Sequence, residues 1–178
     1  MDIIEKIISN FKNNKSLYIG ENVTISEHMI QAAMIAEKSK SKDFLICSCL
    51  LHDYGHFILD DPDELVRKNK DGKHEDIGYE YLKKFFKREI VEPIKHHVMA
   101  KRYLARDKKY FNKLSNASII SLELQGGLLN RKEAKLFEKE EFFKEAIKVR
   151  KFDEAAKKVG LKIKDIIQYK DLLKASLK

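Results

Sequence analysis

The run Ile46-Cys47-Ser48-Cys49-Leu50-Leu51 ends directly in His52-Asp53, and that junction constrains the fold more than any other stretch. An apolar segment of this kind belongs in a core, yet it delivers an imidazole and a carboxylate to the same place. A buried charge is tolerated only when it is paired, so the fold must hold a partner for both groups, and a metal ion serves both. Neighbouring residues at a helix end can put the imidazole on one metal and the carboxylate between two. Further ligands follow in the order His28, His52-Asp53, His74, His97 and Asp153. Imidazole with carboxylate suits metals such as iron or manganese. A single histidine on an apolar helix reads as a core or surface residue. With His56, this set takes in five of the six histidines of the chain, and chance does not account for it.

Two prolines (Pro62, Pro93) and seven glycines in 178 residues favour long helices over strands and turns. The expected class is all-α, a single domain over 1–178 large enough for one core. Its metal-site core spans about 17–158, with a last helix near 163–175. The net charge of +8 comes from 30 lysines and six arginines, interleaved with 28 acids along the whole chain. That pattern reads as a solvated surface. A nucleic-acid interface would gather Arg and Lys on one face among aromatics, so no nucleic-acid partner is expected. Steering of a small anionic substrate into a cleft is a better use for the charge. Cys47 and Cys49 lie two apart on a helix and point to different faces. With no signal peptide, they fit a reducing cytoplasm. No apolar run approaches the length of a membrane span, so no membrane partner is expected. The oligomeric state is open, and a monomer is compatible with the sequence.

The apolar stripe Ile3, Ile4, Ile7, Ile8, Phe11 predicts a helix over 2–13, and 15–24 reads as a loop. Ser26 is the expected N-cap of a helix to about Lys40. Asp43 opens the next, which ends at the His-Asp pair with Gly55 as its terminator. Asp60-Asp61-Pro62-Asp63 reads as a turn before a polar stretch ending at Lys73. A helix begins near His74. Pro93 is expected in the first turn of the following one, bringing His96 and His97 inward. Helices over 99–112 and 115–124 stop at Gly126-Gly127, and 130–138, 140–158 and 163–175 complete the set. Four-residue spacing lets His52 and His56 face one pocket, with Asp53 turned by about 100°.

These motifs resemble the HD-domain superfamily, whose signature is a His, a His-Asp pair and a distal Asp. Within it, the chain resembles the oxygenases that bind two irons, relatives of inositol oxygenase that cleave 1-hydroxyphosphonates. The matching stretches begin with Tyr18-x-Gly20-Glu21-x-Val23-Thr24 before Glu27-His28, and Leu51-His52-Asp53-x-Gly55-His56. They continue with His97-Val98-x-Ala100-Lys101-Arg102-Tyr103-Leu104 and Ser118-x-x-Ser121-Leu122-x-Leu124-Gln125-Gly126-Gly127, ending in Arg150-x-x-Asp153-x-x-Ala156-Lys157.

The resemblance implies that His28, His52, Asp53 and Asp153 hold one iron and that Asp53, His74 and His97 hold the other. Tyr18 would close the second iron at rest and leave when substrate binds. Glu21 would face a substrate amino group. His56, Lys101, Ser118 and Arg150, with Ser121 and Gln125, would surround the substrate and its phosphonate. Lys as a point charge and Arg as a fork donor suit that dianion. His96 has no assigned role. The implied cofactors are two irons as a mixed Fe(II)/Fe(III) pair, with O2 as co-substrate. The implied reaction breaks the C–P bond of a 1-hydroxyphosphonate to give a carboxylic acid and phosphate. With 2-amino-1-hydroxyethylphosphonate the acid is glycine; the substituent is open among amino, trimethylammonio and hydrogen. The alternatives are a two-metal phosphohydrolase of a nucleotide or other phosphate ester, and a non-catalytic module that kept the fold.

Overall fold

A computed structural model describes residues 2–18, 21–59 and 71–178, and among these every regular element is helical. In chain order the helices are α1 Ile3–Asn13, α2 Ile25–Lys38, α3 Asp43–Leu51, α4 His74–Leu82, α5 Arg88–Leu104, α6 Lys108–Phe111, α7 Asn116–Leu124, α8 Arg131–Phe137, α9 Phe143–Ala155 and α10 Lys170–Ala175. Two 3-10 turns, Tyr54–Phe57 and Ile166–Tyr169, link them. Pairing between extended segments is limited to isolated bridges, Leu17 with Thr24 and Phe86 with Leu177. The all-α expectation holds. The expected turn at 60–63 and most of the polar stretch after it lie outside the described residues.

The centre of the bundle is α3, flanked by α2, α5 and α9. Every residue of α3 from Leu45 to Leu51 is buried, as expected for a helix that is apolar all round. Its one hydroxyl is satisfied within the core, since the single proton of Ser48 Oγ is shared between Phe44 O and Ile90 O, both at 2.9 Å. Helix α1 lays Ile4, Ile7, Ile8 and Phe11 onto the same core. A second, smaller cluster joins Ala100 of α5 to Leu129, Ala134, Phe137 and Ala146.

Several boundaries differ from the sequence reading for identifiable reasons. Thr24, not Ser26, caps α2, in a reciprocal capping box with Glu27 that satisfies two otherwise orphaned amides. Ser26 sits one step inside and donates its hydroxyl to Phe11 O of α1 at 2.9 Å. Pro93 does not open a helix. Helix α5 begins at Arg88 and runs through Pro93 to Leu104, forgoing the one backbone hydrogen bond that proline cannot donate. His96, His97 and Lys101 thus share a single helix, and the expected helix 99–112 divides into the end of α5 and the short α6. The last two expected helices shorten to α9 and to the 3-10 turn with α10.

Gly55 is not a left-handed terminator either. A Cβ built on it would lie 1.9 Å from His74 O and 3.0 Å from Gly78 N. Only glycine lets the turn after α3 press directly on the backbone of α4.

Candidate metal centre

The sequence-predicted ligands converge where the C-terminus of α3 meets α2, α4, α5 and α9. His28 comes from the first turns of α2, His52 and Asp53 follow the end of α3, His74 opens α4, His97 lies mid-α5 and Asp153 lies near the end of α9. They form two groups that share Asp53. In the first, His28 Nε2 lies 3.5 Å from Asp53 Oδ2 and 3.2 Å from Asp153 Oδ1, and His52 Nε2 lies 3.4 Å and 3.8 Å from the same atoms. In the second, Asp53 Oδ1 lies 3.1 Å from His74 Nε2 and 3.4 Å from His97 Nε2. One carboxylate therefore gives one oxygen to each group.

The hydrogen bonds behind the rings fix their orientation. Nδ1 of His28 faces Ala156 O at 2.9 Å, that of His52 faces Cys49 O at 2.8 Å, and that of His97 faces Ile94 O at 2.7 Å. A carbonyl accepts only, so these three rings carry their proton on Nδ1 and turn the Nε2 lone pair inward. Yet His28 Nε2 and His52 Nε2 approach to 3.1 Å, and His74 Nε2 and His97 Nε2 to 3.2 Å. For His28 and His52 two lone pairs face each other at that distance, so a proton or a metal ion has to lie between them, and the His97 lone pair faces His74 in the same way. Asp53 Oδ2 and Asp153 Oδ1 are also buried without hydrogen-bond partners. These are the marks of ligand atoms, and the two sets His28-His52-Asp53 and Asp53-His74-His97 each bring donors close enough to share an ion. Nitrogen and carboxylate donors of this kind fit two borderline-to-hard metal ions.

The field at the centre agrees. Burial alone would lower the pKa of His28, but the carboxylates of Asp153 and Asp53 beside its Nε2 outweigh it and lift it to about 9. Burial opposes ionisation of Asp53 too, yet His52 and His74 hold it well below the usual carboxylate range. For Asp153, Arg150 and His28 do the same. The centre is built for positive charge.

A cavity of about 110 Å³ opens beside this centre. Tyr18, His56, His74, His97, Lys101, Ser121, Gln125, Arg150 and Asp153 contribute its polar wall, and Leu17, Ile25, Leu59, Val98, Ile120 and Leu124 its apolar wall. Lys101 lies one turn beyond His97 on α5 and is only 4% exposed. Its ammonium donates to Ser121 Oγ at 2.9 Å, a neutral partner. Burial and the nearby Arg150 push its pKa down to about 7. His56 stacks on His74 at 4.2 Å. Burial and that neighbour bring it to about 3, so it is neutral, with Nδ1 unpartnered. Gln125 Oε1 is buried and equally free. Tyr18 stacks on His28 at 4.3 Å, against the Asp153-containing group.

Two residues expected around the substrate, Arg150 and Ser118, are already engaged by protein groups, although Arg150 also lines the cavity. Arg150 gives Nη1 to Asp153, Nη2 to Glu154 and to Ser118 Oγ at 3.1 Å, and Nε to the Tyr110 hydroxyl at 3.0 Å. All three of its nitrogens are engaged. Ser118 Oγ donates to Glu154 at 2.7 Å and receives Lys157 Nζ at 2.8 Å. Glu21 sits 3.7 Å from Lys157 Nζ. His96, turned away from the centre on α5, packs its ring edge-to-face with Phe137, the ring centres 6.1 Å apart.

Two residues of the centre went unremarked in the sequence. Glu154 gathers Arg150, Ser118, Lys157 and the Ser115 amide, and Glu75 stands behind His74. Each directly follows a ligand, which is the one signal that could have exposed them.

The sequence pattern of the HD domain matches residues 25–169. A 1-hydroxy-2-(trimethylamino)ethylphosphonate dioxygenase (glycine-betaine-forming) of Leisingera caerulea is 44% identical over 149 residues, covering 83% of this chain and 76% of that protein. A hydroxymethylphosphonate dioxygenase of Gimesia maris is 42% identical over 171 residues, covering 93% and 85%. An uncharacterised protein of Acanthamoeba polyphaga mimivirus is 34% identical over 182 residues, covering 96% and 83%. The chain belongs to the HD-domain family. Within that family it is an oxidoreductase of the phosphonate dioxygenase type. No helix among the described residues is long and apolar enough to cross a membrane.

Proposed function

We propose that this enzyme uses two irons and O2 to cleave the C–P bond of a small 1-hydroxyphosphonate, giving a carboxylic acid and phosphate. Lys101 carries the reading: a buried ammonium on the wall beside both ligand groups, with only a hydroxyl for a partner among the described residues. Such a cation calls for an anion from outside the protein. The substrates printed in the names of the two dioxygenase relatives are both 1-hydroxyphosphonates, and the cavity suits a molecule of that size.

The atoms balance without an added reductant. A 1-hydroxyphosphonate and one O2 together contain every atom of the acid and the phosphate. A mixed Fe(II)/Fe(III) pair held by His28, His52, Asp53, Asp153, His74 and His97 would supply the one-electron chemistry with O2. The protein's part is to place the substrate. Lys101, with Ser121 beside it, receives the phosphonate as a charge-assisted contact. Neutral His56 and Gln125 offer hydrogen bonds to the hydroxyl-bearing end. Leu17, Ile25, Ile120 and Leu124 limit water around the reacting carbon. Tyr18, stacked on His28, shields the centre until substrate enters, and Arg150 contributes by holding Asp153.

The test is stoichiometric. Purified protein with a 1-hydroxyphosphonate should release one phosphate per O2 consumed and stop under anaerobic conditions. Tyr18→Ala, which removes the shielding ring, should keep both irons but oxidise faster without substrate. Undiminished phosphate release without O2 would make the protein a two-metal hydrolase.

A further inference from the structure

We propose that Glu75 is a positioning residue for the metal shared by Asp53, His74 and His97. It would act through His74 as a charged hydrogen-bond partner that none of the other three ligand imidazoles has. This rests on the two-metal reading above.

The four rings differ behind the centre. His28, His52 and His97 each direct Nδ1 at a backbone carbonyl, 2.7–2.9 Å away. His74 directs Nδ1 at Glu75 Oε2, 3.6 Å away. Glu75 lies in the first turn of α4 and is 9% exposed, and its Oε2 is buried without a hydrogen-bond partner. A buried carboxylate oxygen in that state is expensive, and the N–H of His74 is the donor within reach. Closing the gap takes a few tenths of an ångström. The backbone of His74 is held meanwhile by its contact with Gly55, so the ring turns while the residue stays.

A carboxylate behind a ligating imidazole fixes its tautomer and raises its donor strength, and loss of such a partner typically costs about 10–100-fold in metal affinity. The extra negative charge favours the higher-charged metal, which lowers the potential of this iron relative to one backed by carbonyls only. The centre is then asymmetric by construction, with Asp153 as an anion bound directly at one metal and Glu75 as an anion one bond removed at the other.

The experiment titrates metal-free wild type, Glu75→Ala and Glu75→Gln with Fe(II) anaerobically, counts metals per chain, and measures the potential of each loaded centre. Glu75→Ala should bind the first iron as wild type does and the second about 10–100-fold more weakly. Glu75→Gln keeps an acceptor for the His74 N–H but no charge. It should recover most of that affinity, while a tenfold fall in the ferric-to-ferrous affinity ratio raises the potential by about 59 mV. A purely structural role would weaken both irons alike, or lower the melting temperature of all metal-free variants without moving the potential of Glu75→Gln, and either result overturns the proposal. Wild-type affinity for both irons in Glu75→Ala also overturns it while leaving the two-metal reading intact. A single iron in wild type would defeat the two-metal reading itself.

Discussion

The two halves of the centre share Asp53 but are built differently. The half containing Asp153 is locked. His28 and His52 have no exposed surface, their rings are braced by carbonyls from helix ends, and Arg150 clamps Asp153 from behind. The half containing His74 borders the cavity. His74 retains 12% side-chain exposure, opens a short helix, and relies on a glycine contact and an acidic neighbour to stay in place. A dinuclear centre that must hold its metals and still admit substrate can divide the tasks in this way, one side rigid and the other accessible. Asp53 joins them, and its removal should have the greatest consequence. On the proposed two-metal reading, Asp53→Ala should take metal content from two ions per chain to none. Asp153→Ala should lose chiefly the first and His97→Ala chiefly the second, as read by elemental analysis. Equal loss of both metals in His97→Ala would mean that the halves are not separable.

Arg150 tests the rigidity of the locked half. As a phosphonate clamp it would affect substrate affinity alone. Its three nitrogens instead satisfy Asp153, Glu154, Ser118 and Tyr110, and it is 2% exposed. Arg150→Ala would leave the buried Asp153 without its guanidinium, while Glu154 keeps Lys157, and breaking a buried pair in this way costs about 3–5 kcal/mol. For a chain of this length that corresponds to a fall in melting temperature of roughly 10 °C, accompanied by loss of metal from the Asp153 side. A stable, fully metallated Arg150→Ala with raised KM would restore the clamp.

How much of this was legible beforehand follows the same division. The convergence of His28, His52, Asp53, His74, His97 and Asp153 could be read because metal coordination demands particular side chains, and the all-α class because proline and glycine are scarce. What lies one contact further out could not be read. That Arg150 spends its charge on Asp153 depends on three-residue spacing along α9 and on the depth of that helix, which a charge pattern does not encode. Gly55 was legible as a glycine that matters, but its reason, the direct seat of α4 on the turn, exists only once His74 is folded against it. Ser26 and Thr24 both look like caps. The choice between them is made by Glu27, three residues after Thr24, and by the Phe11 carbonyl that claims Ser26.

Lys101 tests the accessible half with the gentlest change. Lys101→Ala should leave both metals in place and the fold intact, because among the described residues the side chain has only the Ser121 hydrogen bond to lose. Substrate affinity should fall by about 1.5–3 kcal/mol, the worth of a charged hydrogen bond, or roughly 10–150-fold in KM. The pH dependence follows from its burial. The folded pKa is depressed from 10.5 to about 7, and only the ammonium form attracts a phosphonate. Affinity should therefore decline as pH rises through about 7. Bound metal cations push the same way as Arg150, so the decline begins no higher. Stability has the opposite slope. Between about 7 and 10.5 the unfolded chain holds the proton that the folded chain has released, so this group makes folding more favourable as pH increases. Lys101→Arg keeps its proton throughout. It should bind substrate with no such decline, whereas an unchanged profile in that variant would assign the decline to another group and detach Lys101 from the anion.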